Sequence, residues 1–151
     1  MQISTIPMES LAEILSLQME SGGTARLVVT GNSMYPTLRH RKDVVHLVPA
    51  SKPLKKGDLI LYQRENGQYV LHRIVSNPKN GNFICCGDNQ WEKEPVSQKQ
   101  VIAVTDGFIR GGKTYKNTFL YHRLWVGLWT CLFPVRRPLL ALRRMLGRLR
   151  R

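Results

Sequence analysis

The sequence has few cysteines, and their spacing excludes a disulfide-rich scaffold. Three are present among 151 residues: Cys85 and Cys86 are adjacent, and Cys131 lies far along the chain. An odd and sparse set is typical of a reducing compartment, so we expect a cytoplasmic protein. The four histidines are scattered without metal-ligand spacing, and no motif implies a cofactor. We therefore expect neither a metal nor a cofactor.

The sequence also lacks a long apolar run. The longest uncharged apolar stretch, residues 124–135, has twelve residues, whereas a bilayer-spanning helix needs roughly 20. The first 20 residues hold three glutamates and no basic residue, which is unlike a signal peptide. Apolar residues nevertheless make up 42% of the chain. A chain of this length and composition predicts one folded unit with no room for a separate DNA-binding domain.

Acidic residues are missing from the C-terminal part of the chain. From residue 107 to the end there are eleven lysines and arginines and no acid, whereas the preceding residues nearly balance. Because arginine alternates with leucine here and Trp125 and Trp129 lie in an apolar stretch, residues 119–151 favour an anionic membrane surface over nucleic acid. Helices packed on the rest of the protein, with their arginines in water, are the competing interpretation. The sequence leaves both open, with the protein either cytoplasmic or peripheral at the cytoplasmic face of the membrane.

The body of the chain predicts one short helix and then a mainly β domain. Ser10 and Glu13 form a capping box for a helix over residues 10–21. Asn66-Gly67 is a strong hairpin signal. Strand patterns occupy residues 26–30, 43–48, 58–62, 69–75, 82–86 and 101–105. We expect a curled, barrel-like β domain over residues 1–112, capped by the N-terminal helix, and amphipathic C-terminal helices over residues 113–151.

One turn has the features of a nucleophile site. Ser33 follows a predicted strand and a glycine-containing turn in the segment GNSMYPTL, and Pro36 comes three residues later. Such a turn can present a hydroxyl beside free backbone amides, as an oxyanion site requires. A rigid loop with only a structural role is the alternative interpretation of this segment.

Two later segments could complete such a site. His72 lies in the apolar segment YVLHRIV, 39 residues after Ser33, and one hairpin can bring it back to the serine's turn. Asp88 lies in the turn Gly87-Asp88-Asn89, directly after a predicted strand, where its carboxylate could orient an imidazole. Taken singly, a strand histidine and a Gly-Asp-Asn turn are common structural features.

Together these segments resemble the signal peptidase I superfamily, which includes the self-cleaving proteases of the SOS-repressor type. The resemblance covers roughly residues 26–107 and rests on four motifs in the family's order: GNSMYPTL, KGDLI, LHRIV and GDN. It implies the family's β fold and a serine endopeptidase that cleaves a leader or signal segment of a peptide or protein. A histidine at the position of the general base is similar to the archaeal, endoplasmic-reticulum and sporulation-type members.

The resemblance also implies a role for each residue. Ser33 is expected to be the nucleophile, His72 the general base, and Asp88 the carboxylate that supports His72. Glu92 and Glu94 occupy positions where this subclass has further acids, and they are alternatives to Asp88. The peptide is expected to bind as an extended strand along a sheet edge. The neighbours of the serine that are expected to form the oxyanion and substrate pocket are Asn32, Met34, Tyr35 and Pro36.

A catalytically inactive β domain of the same fold, which binds peptide or membrane, is the alternative function. Two departures from the family bear on the choice. Signal peptidases usually have an N-terminal transmembrane anchor, and this sequence shows none. Self-cleaving relatives cut an Ala-Gly or Cys-Gly bond before their serine, whereas Cys86-Gly87 follows Ser33. We therefore do not expect self-cleavage.

Overall fold

Short apolar strands, separated by turn residues, assemble into one antiparallel sheet. The computed structural model describes residues 15, 17–77, 82–117 and 120–132, and further positions at 135, 138, 141, 142, 145 and 146. The strands of this part of the chain are β1 (Ala25–Val28), β2 (Asp43–Val48), β3 (Leu59–Gln63), β4 (Tyr69–Ser76), β5 (Asn82–Cys86), β6 (Glu94–Ser97), β7 (Val101–Arg110) and β8 (Lys113–Lys116). The predicted mainly β class is thereby confirmed.

The sheet is open. Its order is β1-β2-β7-β3-β4-β5-β6, and β8 pairs with the second half of β7. Closure into a barrel requires the two end strands to pair. Among the described residues, β1 pairs only with β2, and β6 pairs only with β5. The barrel-like closure expected from the sequence is therefore wrong.

The hairpin predicted at Asn66-Gly67 joins β3 to β4. Gly67 has φ of 83°, a left-handed conformation that glycine adopts without steric penalty. The register pairs Ile60 with His72 and Tyr62 with Val70. Tyr62 and His72 are therefore diagonal neighbours on one face of the sheet.

Apolar side chains are buried on both faces of the sheet, in two separate clusters. Alternation along each strand distributes them, because successive side chains point to opposite faces. The helical residues Leu15 and Met19 pack into the first cluster, as expected for a helix that covers the domain, while the predicted cap at Ser10 and Glu13 lies outside the described residues. The buried members of the first cluster are Leu15, Met19, Val29, Met34, Leu38, Val45, Leu47, Leu59, Leu61, Ala103 and Phe108. Those of the second are Ile60, Tyr62, Ile74, Phe83, Cys85 and Val96.

Two strands have no clear signal in the sequence. β6 contains Pro95, which is tolerated because β6 is an edge strand. β8 is largely exposed and follows the Gly111-Gly112 turn. The predicted domain boundary at residue 112 thus falls inside a hairpin, and the sheet extends into the segment that we assigned to the tail.

The first helix of the tail, α1 (Leu120–Cys131), rests on the β domain. The Trp129 indole N–H donates to the backbone oxygen of Asp88 at 3.1 Å. Val126 Cγ1 lies 3.1 Å from the position that a Cβ on Gly57 would take, so the helix closely approaches this turn. Within the described part of the chain, no helix combines the length and the apolar character that crossing a bilayer requires.

Candidate active site

Ser33 lies in the turn that connects β1 to β2, and the Gly-Asp-Asn turn holds it in place. The Ser33 carbonyl accepts a hydrogen bond from the Asn89 backbone N–H at 2.7 Å. The Asn89 side-chain amide donates to the carbonyl of Asn32 at 3.1 Å. At the start of the same turn, the Gly31 N–H donates to His40 Nδ1 at 2.8 Å. Two of the predicted motifs, whose first residues are 56 positions apart in the chain, are therefore in direct contact.

The need for glycine in the Gly-Asp-Asn turn follows from this contact. A Cβ on Gly87 would lie 2.7 Å from the carbonyl oxygen of Ser33 and 2.6 Å from Gln90 Oε1. Atoms in real proteins essentially never approach a Cβ so closely, so a larger residue would push the two turns apart. Gly87 thus permits the backbone approach that positions Ser33.

The neighbours of Ser33 differ in their surroundings. Asn32 is exposed, and Tyr35 and Pro36 are half-buried and joined by a cis peptide bond. Met34 is only 2% exposed and belongs to the first core cluster. The Met34 side chain therefore anchors the turn in the core, and its part in a substrate pocket stays a prediction.

Asp88 is fully buried and pairs with Arg73. The Arg73 guanidinium donates to Asp88 Oδ1 at 2.9 Å through Nε and to Oδ2 at 2.7 Å through Nη2. The Thr37 hydroxyl donates to Oδ2 at 2.5 Å. Both carboxylate oxygens are thus engaged away from the His72 ring nitrogens. The expectation that Asp88 orients the imidazole is not met, and its contacts instead attach the Ser33 loop to β4.

A second buried ion pair holds the far end of the Ser33 loop. Asp43 is fully buried and accepts hydrogen bonds from Arg110 Nε at 2.8 Å and from the Arg39 backbone N–H at 2.8 Å. Arg110 Nη2 also donates to the carbonyl of Thr37 at 2.8 Å. The loop that carries Ser33 is therefore fixed by two ion pairs on its C-terminal side.

Glu94 is the carboxylate beside His72. Its Oε1 lies 3.1 Å from His72 Nδ1 and accepts the Tyr62 O–H at 2.5 Å. An ionised carboxylate only accepts, and the Tyr62 proton is already donated to Glu94, so the imidazole proton is placed on Nδ1. In this tautomer Nε2 carries a lone pair and can take up a proton. By contrast, Glu92 is exposed and forms no hydrogen bond or ion pair within the described part of the chain.

Arg64 keeps the Glu94 carboxylate ionised. It donates to Glu94 Oε2 at 2.8 Å through Nε and to Oε1 at 2.7 Å through Nη2. Burial opposes ionisation of Glu94, but the hydrogen bonds from Arg64 and Tyr62 outweigh it and lower the pKa of Glu94. Burial also lowers the pKa of His72, and the Glu94 charge offsets part of that effect. At neutral pH the pair is therefore a carboxylate and a neutral imidazole.

The structure brings Ser33 and His72 into one framework without a direct bond between their side chains. His72 is followed in β4 by Arg73, which binds Asp88, and the Asp88 turn binds Ser33. Among the described contacts there is no hydrogen bond between the Ser33 hydroxyl and the imidazole. The Arg73–Asp88 pair and the Asn89 backbone thus attach the Ser33 turn to β4, whereas the His72 side chain points to the opposite face of that strand.

Three residues that bind the two carboxylates, Tyr62, Arg64 and Arg73, were not identified from the sequence. Arg73 had a usable signal, because an arginine inside the apolar segment YVLHRIV needs a carboxylate partner when the strand is buried. Tyr62 and Arg64 are ordinary residues at a strand end, and only the fold places them beside Glu94.

Other chemistry is not evident around this site. Among residues 17–77 and 82–117 and the other described positions, no three His, Cys, Asp or Glu side chains are grouped to hold a metal. A surface cavity of about 600 Å³ adjoins Arg64, Lys99 and Gln100, and neither Ser33 nor His72 lines it.

No protein-family model matches the chain, and the search of curated proteins found no match.

Proposed function

We propose that this chain is a serine endopeptidase of the signal peptidase I type, which cleaves a leader or signal segment of a peptide or protein. The observation that carries the proposal is the contact of His72 Nδ1 with the ionised Glu94, which leaves Nε2 available as a base. The direct contact between the Ser33 turn and the Gly-Asp-Asn turn supports it further. The lack of a disulfide among the three cysteines, all of them described, supports the expected cytoplasmic location.

In this mechanism Ser33 Oγ attacks the scissile carbonyl and passes its proton to His72 Nε2. Glu94 stabilises the imidazolium, and His72 then gives the proton to the leaving amine. The Ser33 backbone N–H is the candidate oxyanion donor. Water hydrolyses the resulting acyl-enzyme with His72 again acting as the base. Asp88 takes no part in proton transfer and keeps the Ser33 turn attached to β4.

The proposed substrate path runs along β1. This strand leads towards the Ser33 turn, and in the described part of the chain its outer edge pairs with no other strand. An extended peptide can add to such an edge through main-chain hydrogen bonds. The exposed Arg26 and Val28 alternate with half-buried Ala25 and Leu27, so the edge offers a short strand of the usual alternating kind.

A catalytically inactive, peptide-binding domain is the second candidate function. The observation that favours it is the lack of a hydrogen bond between Ser33 and His72 among the described contacts. Catalytic hydrogen bonds are often long without substrate and tighten when it binds. A reagent that reacts only with an activated serine therefore separates the two functions.

The test is covalent capture by a fluorophosphonate, followed by intact-mass measurement. We expect one adduct on the wild type, none on Ser33→Ala, and a rate of labelling reduced by roughly 10²–10⁴-fold on His72→Ala. Ser51→Ala, at an exposed serine, is the matched control and should label like the wild type. If the wild type forms no adduct but still binds leader peptides, the inactive domain is the correct function.

A further inference from the structure

α1 has one face on the β domain and one face in solvent. Val126 and Trp129 are half-buried and contact the turns at Gly57 and Asp88. Leu124 and Leu128 are 64% and 57% exposed. Isolated exposed leucines are common, but two of them one helical turn apart form an apolar stripe.

The exposed apolar character continues beyond α1. The described positions that follow it are largely apolar and exposed, although the sequence is rich in arginine there. The large apolar side chains among them, each about half exposed, are Val135, Leu142, Met145 and Leu146. A single stretch of chain thus presents six large apolar side chains to solvent.

The charge of the same stretch identifies the partner's chemistry. Residues 107–151 hold eleven lysines and arginines and no acid. Such a segment attracts a polyanion, and a bilayer of anionic lipid and a nucleic acid are the two that present phosphates in arrays. The exposed apolar side chains are aliphatic, which suits acyl chains, whereas nucleic-acid surfaces are bound through cations and aromatic stacking.

We propose that the exposed apolar residues of α1, together with Val135, Leu142, Met145 and Leu146, form a binding surface for an anionic lipid bilayer. Leu124 and Leu128 enter the interface, and the positive charge of residues 107–151 is attracted by the lipid headgroups. Because Trp129 donates to the backbone of Asp88, the helix that binds lipid also contacts the turn that holds Ser33. This inference does not depend on the proposed peptidase activity.

The test is sedimentation of the full chain with phosphatidylglycerol vesicles and, in parallel, with phosphatidylcholine vesicles. The variant Leu124→Gln/Leu128→Gln removes apolar area without changing charge. We expect the wild type to bind phosphatidylglycerol vesicles preferentially, and the double variant to bind them about tenfold or more weakly. Leu17→Gln is the matched control, because Leu17 is 66% exposed outside this surface, and it should bind like the wild type. Leu128→Gln alone is used if thermal melting shows that the double variant is destabilised.

Three outcomes would overturn the proposal. The first is no binding to phosphatidylglycerol vesicles at low salt. The second is equal vesicle binding by the leucine variants and the wild type. The third is a different partner for this surface. Either the chain binds duplex DNA tightly and does not bind vesicles, or it self-associates through these leucines and does not bind vesicles. Loss of serine labelling in any of these proteins does not bear on the result, because vesicle binding is measured without catalysis.

Discussion

His72 and Arg73 are adjacent in β4, yet they bind different carboxylates. His72 Nδ1 contacts Glu94 at 3.1 Å, and Arg73 Nη2 contacts Asp88 at 2.7 Å. Adjacent side chains of a strand point to opposite faces, so the two pairs are separated by the strand itself. The first pair sets the protonation of the candidate base, and the second attaches the candidate nucleophile's loop. Substitutions in the two pairs should therefore have different consequences.

Glu94→Gln should reduce peptidase activity with little loss of stability. The amide can still accept a hydrogen bond from His72 Nδ1, but it cannot stabilise an imidazolium. We expect kcat/KM to fall by roughly 10²–10⁴-fold while the melting temperature changes little, because Glu94 is only partly buried on an edge strand. Glu92→Gln, at an exposed position two residues before Glu94, should retain activity. Greater damage from Glu92→Gln would contradict the assignment.

Asp88→Asn should act mainly on stability. The substitution leaves the Arg73 guanidinium, which is 1% exposed, without its counter-charge. Removing one member of a buried ion pair costs about 3–5 kcal/mol, and urea unfolding measures this loss of free energy. Asp106→Asn is the control, since Asp106 is exposed and its one ion pair among the described residues is with a partly exposed His46. Equal stability of the two variants would mean that the Arg73 pair does not hold the fold.

The acid limb of the pH–activity profile should have its midpoint below 6.5, the usual pKa of histidine. Burial lowers the pKa of His72, and the neutral imidazole is the active form of a base. Activity should therefore persist to lower pH than for an exposed histidine, and be lost as the pH falls through the pKa of His72. In Glu94→Gln the midpoint should move lower still, because the Glu94 charge raises that pKa. The measurement is kcat/KM against pH, and a midpoint above 6.5 would exclude His72 in this environment.

Gly87→Ala should displace the Ser33 turn. The added Cβ would lie 2.7 Å from the Ser33 carbonyl oxygen, which is a backbone atom and cannot rotate away. We expect a loss of about 1–3 kcal/mol in stability and a large fall in the rate of fluorophosphonate labelling at Ser33. Gly127→Ala in α1 is the control, because no described atom beyond its chain neighbours and its own helix backbone lies within 4 Å of its Cβ position. If Gly87→Ala is labelled at the wild-type rate, the Ser33 turn tolerates the added Cβ.

The strands and the hairpin were predictable because they depend on local patterns. Alternation and short apolar runs located β2 and β5 at their observed bounds, and Asn66-Gly67 located the hairpin. The openness of the sheet was not predictable, since strand order depends on pairings between distant segments. The choice between Asp88 and Glu94 as the partner of His72 was not predictable either, because the two are only six residues apart. Glu94 contacts His72 because it lies in β6, and Pro95 makes the sequence signal of that strand weak.

Burial divides the three thiols into two chemical classes. Cys85 and Cys86 are buried in the sheet and out of reach of a bulky reagent. Burial also raises the pKa of Cys85 to about 12, so almost no reactive Cys85 thiolate forms at neutral pH. Cys131 is exposed at the end of α1, three residues after Leu128. A maleimide dye should therefore attach at this one position in the natural sequence. A fluorescent dye at Cys131 would then report on the binding of partners to α1.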